Sequence, residues 1–486
     1  MKNIGLIAPL WDWDVKYPFK TITCYPPLGL AYVASYLEKH GFEVSILDRT
    51  AVFAQSHFSM NSLDIKTVEW IRKFKLDIIG VSCCTGEHGD ALKVAAMVKR
   101  DFPHVPVVFG GPHASALAPL LLEKYPIIDV CVRGEGEISM LEICQSKKLE
   151  DIRGISFRKE GQIVNNPPGD VHENIDDFAF PARHLLDMDF YTKRSTHLVP
   201  PLFIRGTDVI SSRGCPYNCY FCASKVALGK GVRFQSVDLV IKELELLIDR
   251  YHIKALSFVD DMFATKKKRV KEICQKIINK GINKELKWAC QLKADIVDKE
   301  LLQALKVAGC VLVEYGFESG SQKVLDRANK KAHVSFYYSA AELTRKAGIL
   351  FQANVIVGLP GETVEDAQMT LSFIKKVKPD WLVLSRFKPL PGSIFYNELV
   401  AAERLSVDIW ERLFILEENP FNCSAMSDEQ YSRMLHHLHR QLFFIRSRKF
   451  IFNNFKCGIY HPRLIFYGAN RALNPKFKHL IYSIFR

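Results

Sequence analysis

The chain alternates short apolar runs with helix-period stretches twice over, and this limits it to a parallel α/β architecture. In the first third, Ile4–Ala8, Glu43–Leu47, Asp77–Ser82, Val105–Phe109 and Ile128–Val132 are runs of strand length. Runs that are apolar almost throughout fit strands buried on both faces of a parallel sheet. Between them, Leu30–His40 and Ala91–Phe102 carry helical spacing. Such units predict a doubly wound sheet, which takes its ligands beyond the C-terminal ends of the strands. Polar, glycine-rich segments fall at those ends: Ser82 to Gly86 with Thr85 among them, Gly110-Gly-Pro-His113, and Arg133-Gly-Glu-Gly-Glu137.

A second alternation starts at Val209. Its predicted strands are Val209–Ser212, Ala255–Val259, Lys287–Gln291, Val311–Gly316, Gln352–Val357 and Trp381–Ser385. Six βα units predict a partial (β/α)6 barrel, with reactive groups at the C-terminal strand ends. Between the two alternations, Ile152 to Asn165 reads as a hairpin turning at Lys159-Glu-Gly161. Pro167-Pro-Gly169 and the acidic stretch to Tyr191 then read as a linker. The expected organisation is a flavodoxin-like domain over 1–145, hairpin and linker over 146–200, barrel over 201–400, and a helical segment over 401–486. Two to three domains suit a chain of 486 residues.

Composition narrows the setting. No apolar run reaches the ~18 residues of a membrane span. Thirteen cysteines, an odd number in a long chain with no signal-peptide pattern, favour reduced thiols over a disulfide framework and predict a cytoplasmic protein. The net charge of +13 is concentrated: from Tyr431 to Arg486 there are 11 Lys and Arg, 12 Phe and Tyr, and no Asp or Glu. That tail fits a barrel cap, a peripheral contact with the inner, anionic membrane face, or, less readily, nucleic acid.

The chemistry is concentrated in Ser211-Ser-Arg-Gly-Cys-Pro-Tyr-Asn-Cys-Tyr-Phe-Cys-Ala-Ser224. Cys215, Cys219 and Cys222 give the spacing Cys-x3-Cys-x2-Cys. Three thiolates can hold three irons of a [4Fe–4S] cluster and leave the fourth open to an external ligand. A zinc site would want a fourth ligand, and no Cys-x2-Cys or His pair lies nearby to supply it. The remaining alternative is three unrelated core cysteines.

With Arg213-Gly-Cys-Pro before it and Phe221 before the last cysteine, this loop resembles the signature of radical S-adenosylmethionine (SAM) enzymes. The resemblance implies that the open iron binds the amino and carboxylate groups of SAM, and that Phe221 lies at that site. It also implies a methionyl contact from Asp260 or Asp261 at the second strand's end, in place of the family's usual Gly-Gly-Glu. Glu314-Tyr-Gly-Phe-Glu-Ser-Gly320 resembles the family's Gly-x-Glu-Ser-Gly, which points to Glu318 as a polar contact to SAM. Glu314 or Glu318 could instead satisfy a lysine in the barrel mouth. Asn354-Val-Ile-Val-Gly-Leu-Pro-Gly-Glu362 resembles the fifth-strand adenine motif, implying Val355 and Gly358 beside the adenine. Glu362 fits a helix N-terminus equally well. Lys388-Pro-Leu-Pro-Gly-Ser393 resembles the sixth-strand loop of cobalamin-type members.

The first domain resembles the cobalamin-binding domain that precedes many radical SAM barrels. It does so in Tyr25-Pro-Pro-Leu-Gly-Leu30, Gly41-Phe-Glu-Val44 with Asp48, Gly110-Gly-Pro-His113 and Gly134-Glu-Gly-Glu137. The resemblance implies cobalamin contacts from Ser82, Thr85, Gly110, Gly111, Gly134 and Glu135. The Asp-x-His-x-x-Gly motif for a lower axial histidine is absent, so His88 and His113 read as loop residues rather than cobalt ligands.

The implied cofactors are a [4Fe–4S] cluster, SAM and cobalamin. The implied activity is methyl transfer to an unactivated carbon, opened by a 5′-deoxyadenosyl radical. Ring formation, rearrangement or oxidation with the same cofactors is the alternative. An RNA methylthiotransferase would carry a second cluster on N-terminal cysteines, whose spacing is missing here. A non-enzymatic iron–sulfur sensor or electron carrier would not cleave SAM. The expected partners are a small or lipid-like substrate and an electron donor such as flavodoxin or ferredoxin, and not nucleic acid. Cys83, Cys84 and Cys290 read as core thiols near the two sites.

Overall fold

The computed structural model describes residues 2–11, 25–57, 59–194, 205–411, 421–438 and 440–442. The chain divides into two compact units. The first comprises Met1–Ser195, Thr207–Ile253 and Lys388–Asn419; the second comprises Thr196–Gly206, Lys254–Phe387 and Pro420–Arg486.

The first unit is built on a seven-stranded sheet: β1 Asn3–Ala8, β2 Glu43–Asp48, β3 Ile78–Ser82, β4 Val107–Gly110, β5 Val130–Val132, β6 Ile155–Lys159 and β7 Gln162–Asn165. The order is β2-β1-β3-β4-β5-β6-β7. The five parallel strands follow the predicted doubly wound path. Ile4, Leu6, Ile78, Ile79, Val107 and Val108 are buried along them, as central strands covered on both faces require. The predicted hairpin forms as β6 and β7, and it adds antiparallel to β5. It therefore extends the first sheet, because Ile155 and Phe157 join that sheet's core.

Helices α1 Leu28–Lys39, α2 Met60–Phe74, α3 His88–Asp101 and α4 Pro112–Lys124 connect the parallel strands, and α5 Glu137–Cys144 lies between β5 and β6. The predicted strand Val209–Ser212 is not continuous. Strand β8, Gly206–Val209, ends there, and Ser212–Arg213 forms a separate β9 that pairs antiparallel with β10, Arg233–Phe234. Gly214, at φ 91°, turns the chain immediately afterwards. A side chain there would bring its Cβ to 2.5 Å from the Gly231 carbonyl oxygen, so glycine alone suits the position. Helices α6 Ser224–Leu228 and α7 Val237–Tyr251 complete this part of the unit.

In the second unit, β11 Ala255–Phe258, β12 Lys287–Leu292, β13 Cys310–Glu318, β14 Leu350–Val357 and β15 Trp381–Arg386 pair in parallel in chain order. Helices α8 Lys267–Asn279, α9 Lys299–Val307, α10 Val334–Lys346 and α11 Val364–Val377 alternate with them, giving the predicted partial barrel. Residues 428–438 are helical, as expected for the start of the segment from Ser427 to Arg446. The rest of the basic, aromatic tail, 443–486, lies outside the described residues. Among the described residues no helix is long and apolar enough to cross a membrane.

Candidate active site

The three-cysteine loop starts two residues after β9 and ends just before α6. Cys215 and Cys219 are half-buried and Cys222 is exposed, and none of the three is in a disulfide. The Cys222 amide donates to the Cys219 carbonyl at 3.1 Å, and the Ser224 amide reaches the Cys222 Sγ at 3.5 Å. Among the described residues no three His, Cys, Asp or Glu side chains meet as a single-ion site. A [4Fe–4S] cluster does not need that, because its thiolates each bind a different iron. Three thiols in one loop, with no fourth beside them in sequence, fit a cluster with one open iron. Phe221 lies within this loop, half-buried.

The loop is clamped at both ends within the first unit. Before it, the Arg213 guanidinium donates to Glu135 Oε1 at 2.8 Å and to Glu137 Oε1 at 2.7 Å. The same guanidinium stands 4.9 Å from the Tyr32 ring centroid and 4.8 Å from that of Phe178. Arg233 donates to the other oxygen of Glu135 at 2.6 Å. Burial alone would raise the Glu135 carboxyl. The Arg233 hydrogen bond and the Arg213 charge outweigh it and hold the group below the usual carboxylate range. After the loop, α6 packs on α4. The Phe395 amide donates to the Tyr220 carbonyl at 2.9 Å, and the two rings meet edge to face at 5.8 Å.

The residues expected to hold cobalamin are grouped at the ends of β3, β4 and β5. Ser82 and Gly110 are register partners that end β3 and β4. A Cβ at Gly110 would meet nothing within 4 Å, whereas one at Gly111 would lie 3.0 Å from the Cys83 carbonyl oxygen. The open backbone at Gly110 suits close approach by a bulky ligand. Thr85 opens a short turn, and its carbonyl and hydroxyl face His88 Nδ1 at 2.9 Å and His113 Nδ1 at 3.3 Å. Gly134, at φ 88°, donates its amide to Ser115 Oγ at 2.9 Å. Glu135 is turned into the arginine cluster.

The two histidines are not loop residues as expected. His88 opens α3 and His113 lies in the first turn of α4, and both are buried. Trp410 covers them, its ring 4.8 Å from each. Burial pushes the His113 imidazole down to about 3, so the ring is neutral at ordinary pH. The sequence carried no local sign of this contact, since Trp410 is remote in the chain from both histidines.

In the second unit, Asp260 is buried and Asp261 half-buried just beyond β11. Glu318 ends β13 at φ 61°, a left-handed backbone uncommon for a residue with a side chain. Its carboxylate takes an ion pair from Lys330 at 2.8 Å, the lysine partner foreseen as the alternative to a ligand. It also folds over Gly316, where a Cβ would meet Glu318 Oε1 at 2.5 Å. Val355 is the register partner of Glu318, so two positions expected at SAM are adjacent. Glu314 accepts from Gln352 at 3.0 Å, and burial raises its carboxyl against a hydrogen bond from Asn354.

Gly358, at φ 90°, follows β14, and its amide donates to Glu362 Oε2 at 2.5 Å. Burial pushes Glu362 up to about 7, against that hydrogen bond. Tyr431 closes over Gly358, its hydroxyl 2.7 Å from where a Cβ would stand. A barrel cap was one of the readings of the segment from Tyr431 onward. The start of that segment covers the end of β14, as a cap would. Cys290 is a core thiol, pushed well up by burial and by a hydrogen bond with Cys310.

Residues 20–143 match the B12 binding domain, and residues 209–374 match the radical SAM superfamily. An uncharacterised methyltransferase of Pyrococcus horikoshii is 32% identical over 438 residues, covering 89% of this chain and 90% of its own. This chain belongs to the B12-binding radical SAM enzymes. The anaerobic magnesium-protoporphyrin IX monomethyl ester cyclase of Cereibacter sphaeroides is 28% identical over 385 residues, 77% of this chain and 60% of its own. The fold is shared with the radical SAM methyltransferase TsrM of Kitasatospora setae, solved with cobalamin and a [4Fe–4S] cluster bound. That match has a TM-score of 0.67 and 18% identity, over 83% of this chain and 75% of that one.

Proposed function

We propose that this enzyme transfers a methyl group to an unactivated carbon of a small or lipid-like molecule. The supporting observation is that the three-cysteine loop belongs to the same compact unit as the open glycine end of β4. The cluster supplies the electron that opens SAM to a 5′-deoxyadenosyl radical, and cobalamin supplies the methyl group, when both are bound.

The chain's own residues bind and orient. Cys215, Cys219 and Cys222 hold three irons and leave one for the amino and carboxylate groups of SAM. Asp260 or Asp261 offers a carboxylate to the SAM ammonium. Glu318, fixed by Lys330, presents a polar edge beside Val355. Ser82, Thr85, Gly110, Gly111 and Gly134 line the strand ends that receive cobalamin. Flavodoxin or ferredoxin is the proposed electron donor, a cytoplasmic setting keeps the cluster reduced, and the basic tail is proposed to meet an anionic membrane face.

The resemblance to a cyclase favours ring formation as the second reading. Both are tested on protein purified without oxygen, with its cluster rebuilt. The wild type should retain cobalamin after desalting and release 5′-deoxyadenosine from SAM under reduction, while Cys222→Ala keeps cobalamin and loses cleavage. S-adenosylhomocysteine formed one-to-one with product marks methylation, and its absence alongside turnover marks the cyclase-type outcome. Loss of cobalamin on desalting, with SAM still cleaved, would end the methyltransferase reading.

A further inference from the structure

Gly134-Glu-Gly-Glu137 was expected at the cobalamin, yet both of its carboxylates point to Arg213. We propose that Glu135, Glu137 and Arg213 form a positioning device that sets the three-cysteine loop in place on the cobalamin-type sheet. This inference rests on the proposed function. It deepens that reading by naming residues that touch neither cofactor but fix the distance between the two.

The geometry is that of a locator rather than a surface ion pair. The side chains of Arg213, Glu135, Glu137 and Arg233 are 10%, 16%, 4% and 7% exposed. Two cations face two anions, so the buried group is charge-balanced. Buried ion pairs add little net stability over apolar packing, and their best-attested use is to specify register. Arg213 is held by several partners: two carboxylates take its two terminal nitrogens, and the Tyr32 and Phe178 ring centroids lie 4.9 and 4.8 Å from it. A guanidinium can make this fork and a lysine cannot.

Only Gly214 separates Arg213 from Cys215, and its positive φ and tight approach to Gly231 leave that step no slack. The glutamates flank Gly136, Glu135 on the segment that follows β5 and Glu137 as the first residue of α5. A shift of the arginine is therefore a shift of the first cluster thiolate relative to the end of β5. Arg233 differs in role. It reaches one carboxylate, that of Glu135, and also donates to the His172 carbonyl at 2.9 Å.

The test uses full-length protein carrying cluster and cobalamin, and reads the distance between reduced cluster and cob(II)alamin by pulsed electron paramagnetic resonance. Wild type should give one narrow distance distribution. Arg213→Lys, which keeps the charge but loses the fork, should broaden it about twofold, with iron and cobalamin contents unchanged. Arg233→Lys, which keeps its one carboxylate contact, should stay narrow. A purely structural role for the charge predicts no broadening in either lysine variant.

A narrow distribution in Arg213→Lys, or equal broadening in both variants, overturns the proposal. So does cobalamin washing out of Glu135→Gln with the cluster intact, since that would make Glu135 a ligand contact. If Arg213→Lys does not fold, Glu137→Gln is read against the same outcomes. Wild type that takes up neither cofactor would sink the proposed function itself, and this is seen before any variant is compared.

Discussion

Gly392 lies in the Lys388-Pro-Leu-Pro-Gly-Ser393 loop, and one methyl group there should disturb the cluster loop. At φ 84° any other residue is strained, by ~1–2 kcal/mol on the left-handed side of the backbone map. A Cβ at Gly392 would also drive into Val226 Cγ2, with Val226 Cβ at 3.4 Å and Ala116 Cβ at 3.3 Å closing the sides. Val226 is stiff at χ1 and sits on the short α6 against α4, so it has little room to yield. Overpacking of this kind costs about 1–3 kcal/mol. The total of ~2–5 kcal/mol is a large fraction of a domain's ~5–15 kcal/mol.

Gly392→Ala should therefore lower the urea midpoint of the first unit and, because Val226 follows Cys222 closely, lower its iron content after reconstitution. Gly110→Ala is the control: it has open space and no positive φ, and should stay within ~0.5 kcal/mol of wild type. Val226→Ala combined with Gly392→Ala should recover the packing part of the loss but not the backbone part. Wild-type midpoint and iron content in Gly392→Ala would refute the reasoning. A double variant no better than the single would refute its packing half.

Two further outcomes follow from buried charges. Arg183 donates to Glu243 at 2.9 Å, with side chains 3% and 1% exposed, so Arg183→Leu leaves a buried carboxylate uncompensated and should cost ~3–5 kcal/mol near pH 8. Burial already raises the Glu243 carboxyl against the pull of Arg183. Without that pull it rises further, so the loss should shrink as pH falls and Glu243 protonates; equal losses at pH 8 and pH 5.5 in urea titrations would count against this. Glu362 is raised by burial to about 7 from 4.5, so the folded state binds its proton more tightly than the unfolded state. That contribution, about 3 kcal/mol, is full below the unfolded value and is lost as pH rises to and through 7. Glu362→Gln should flatten the fall in melting midpoint over that window, and an unchanged slope would show that Glu362 is not its source.

The sheet strands were legible because their burial is written in runs of neighbours. Ala255–Val259, Lys287–Gln291 and Trp381–Ser385 each match an observed strand to within one residue at either end. The cysteine loop was legible because its ligands are local. What could not be read were contacts set by partners remote in sequence. Arg213, on the short β9 that the break in the expected strand Val209–Ser212 leaves beside the loop, meets glutamates 78 and 76 positions away. A barrel cap was among the readings of the segment from Tyr431, but its contact with Gly358 could not be read. The one local hint was the pair of carboxylates at 135 and 137 flanking a glycine.

The glycines and the glutamates of Gly134-Glu-Gly-Glu137 thus do different work. Gly134 turns the chain at positive φ and ties its amide to Ser115, while a Cβ at Gly136 would already touch Val33 at 3.4 Å. Gly134 is explained by its backbone turn and the glutamates by Arg213, while the contact at Gly136 is an ordinary one. Gly111 is likewise accounted for by its closeness to Cys83. Gly110 is different, because its φ is ordinary and nothing stands within 4 Å of its missing side chain. Neither strain nor crowding inside the chain asks for glycine there. Of the four glycines assigned to cobalamin by resemblance or beside it in the same loops, Gly110 has the most open surroundings, which suits the proposed approach of cobalamin there. Its register partner Ser82 stands next to it with a hydroxyl to offer. The proposed cobalamin site is therefore best supported at the shared end of β3 and β4, while at the end of β5 Glu135 is engaged by the arginines beside the cysteine loop.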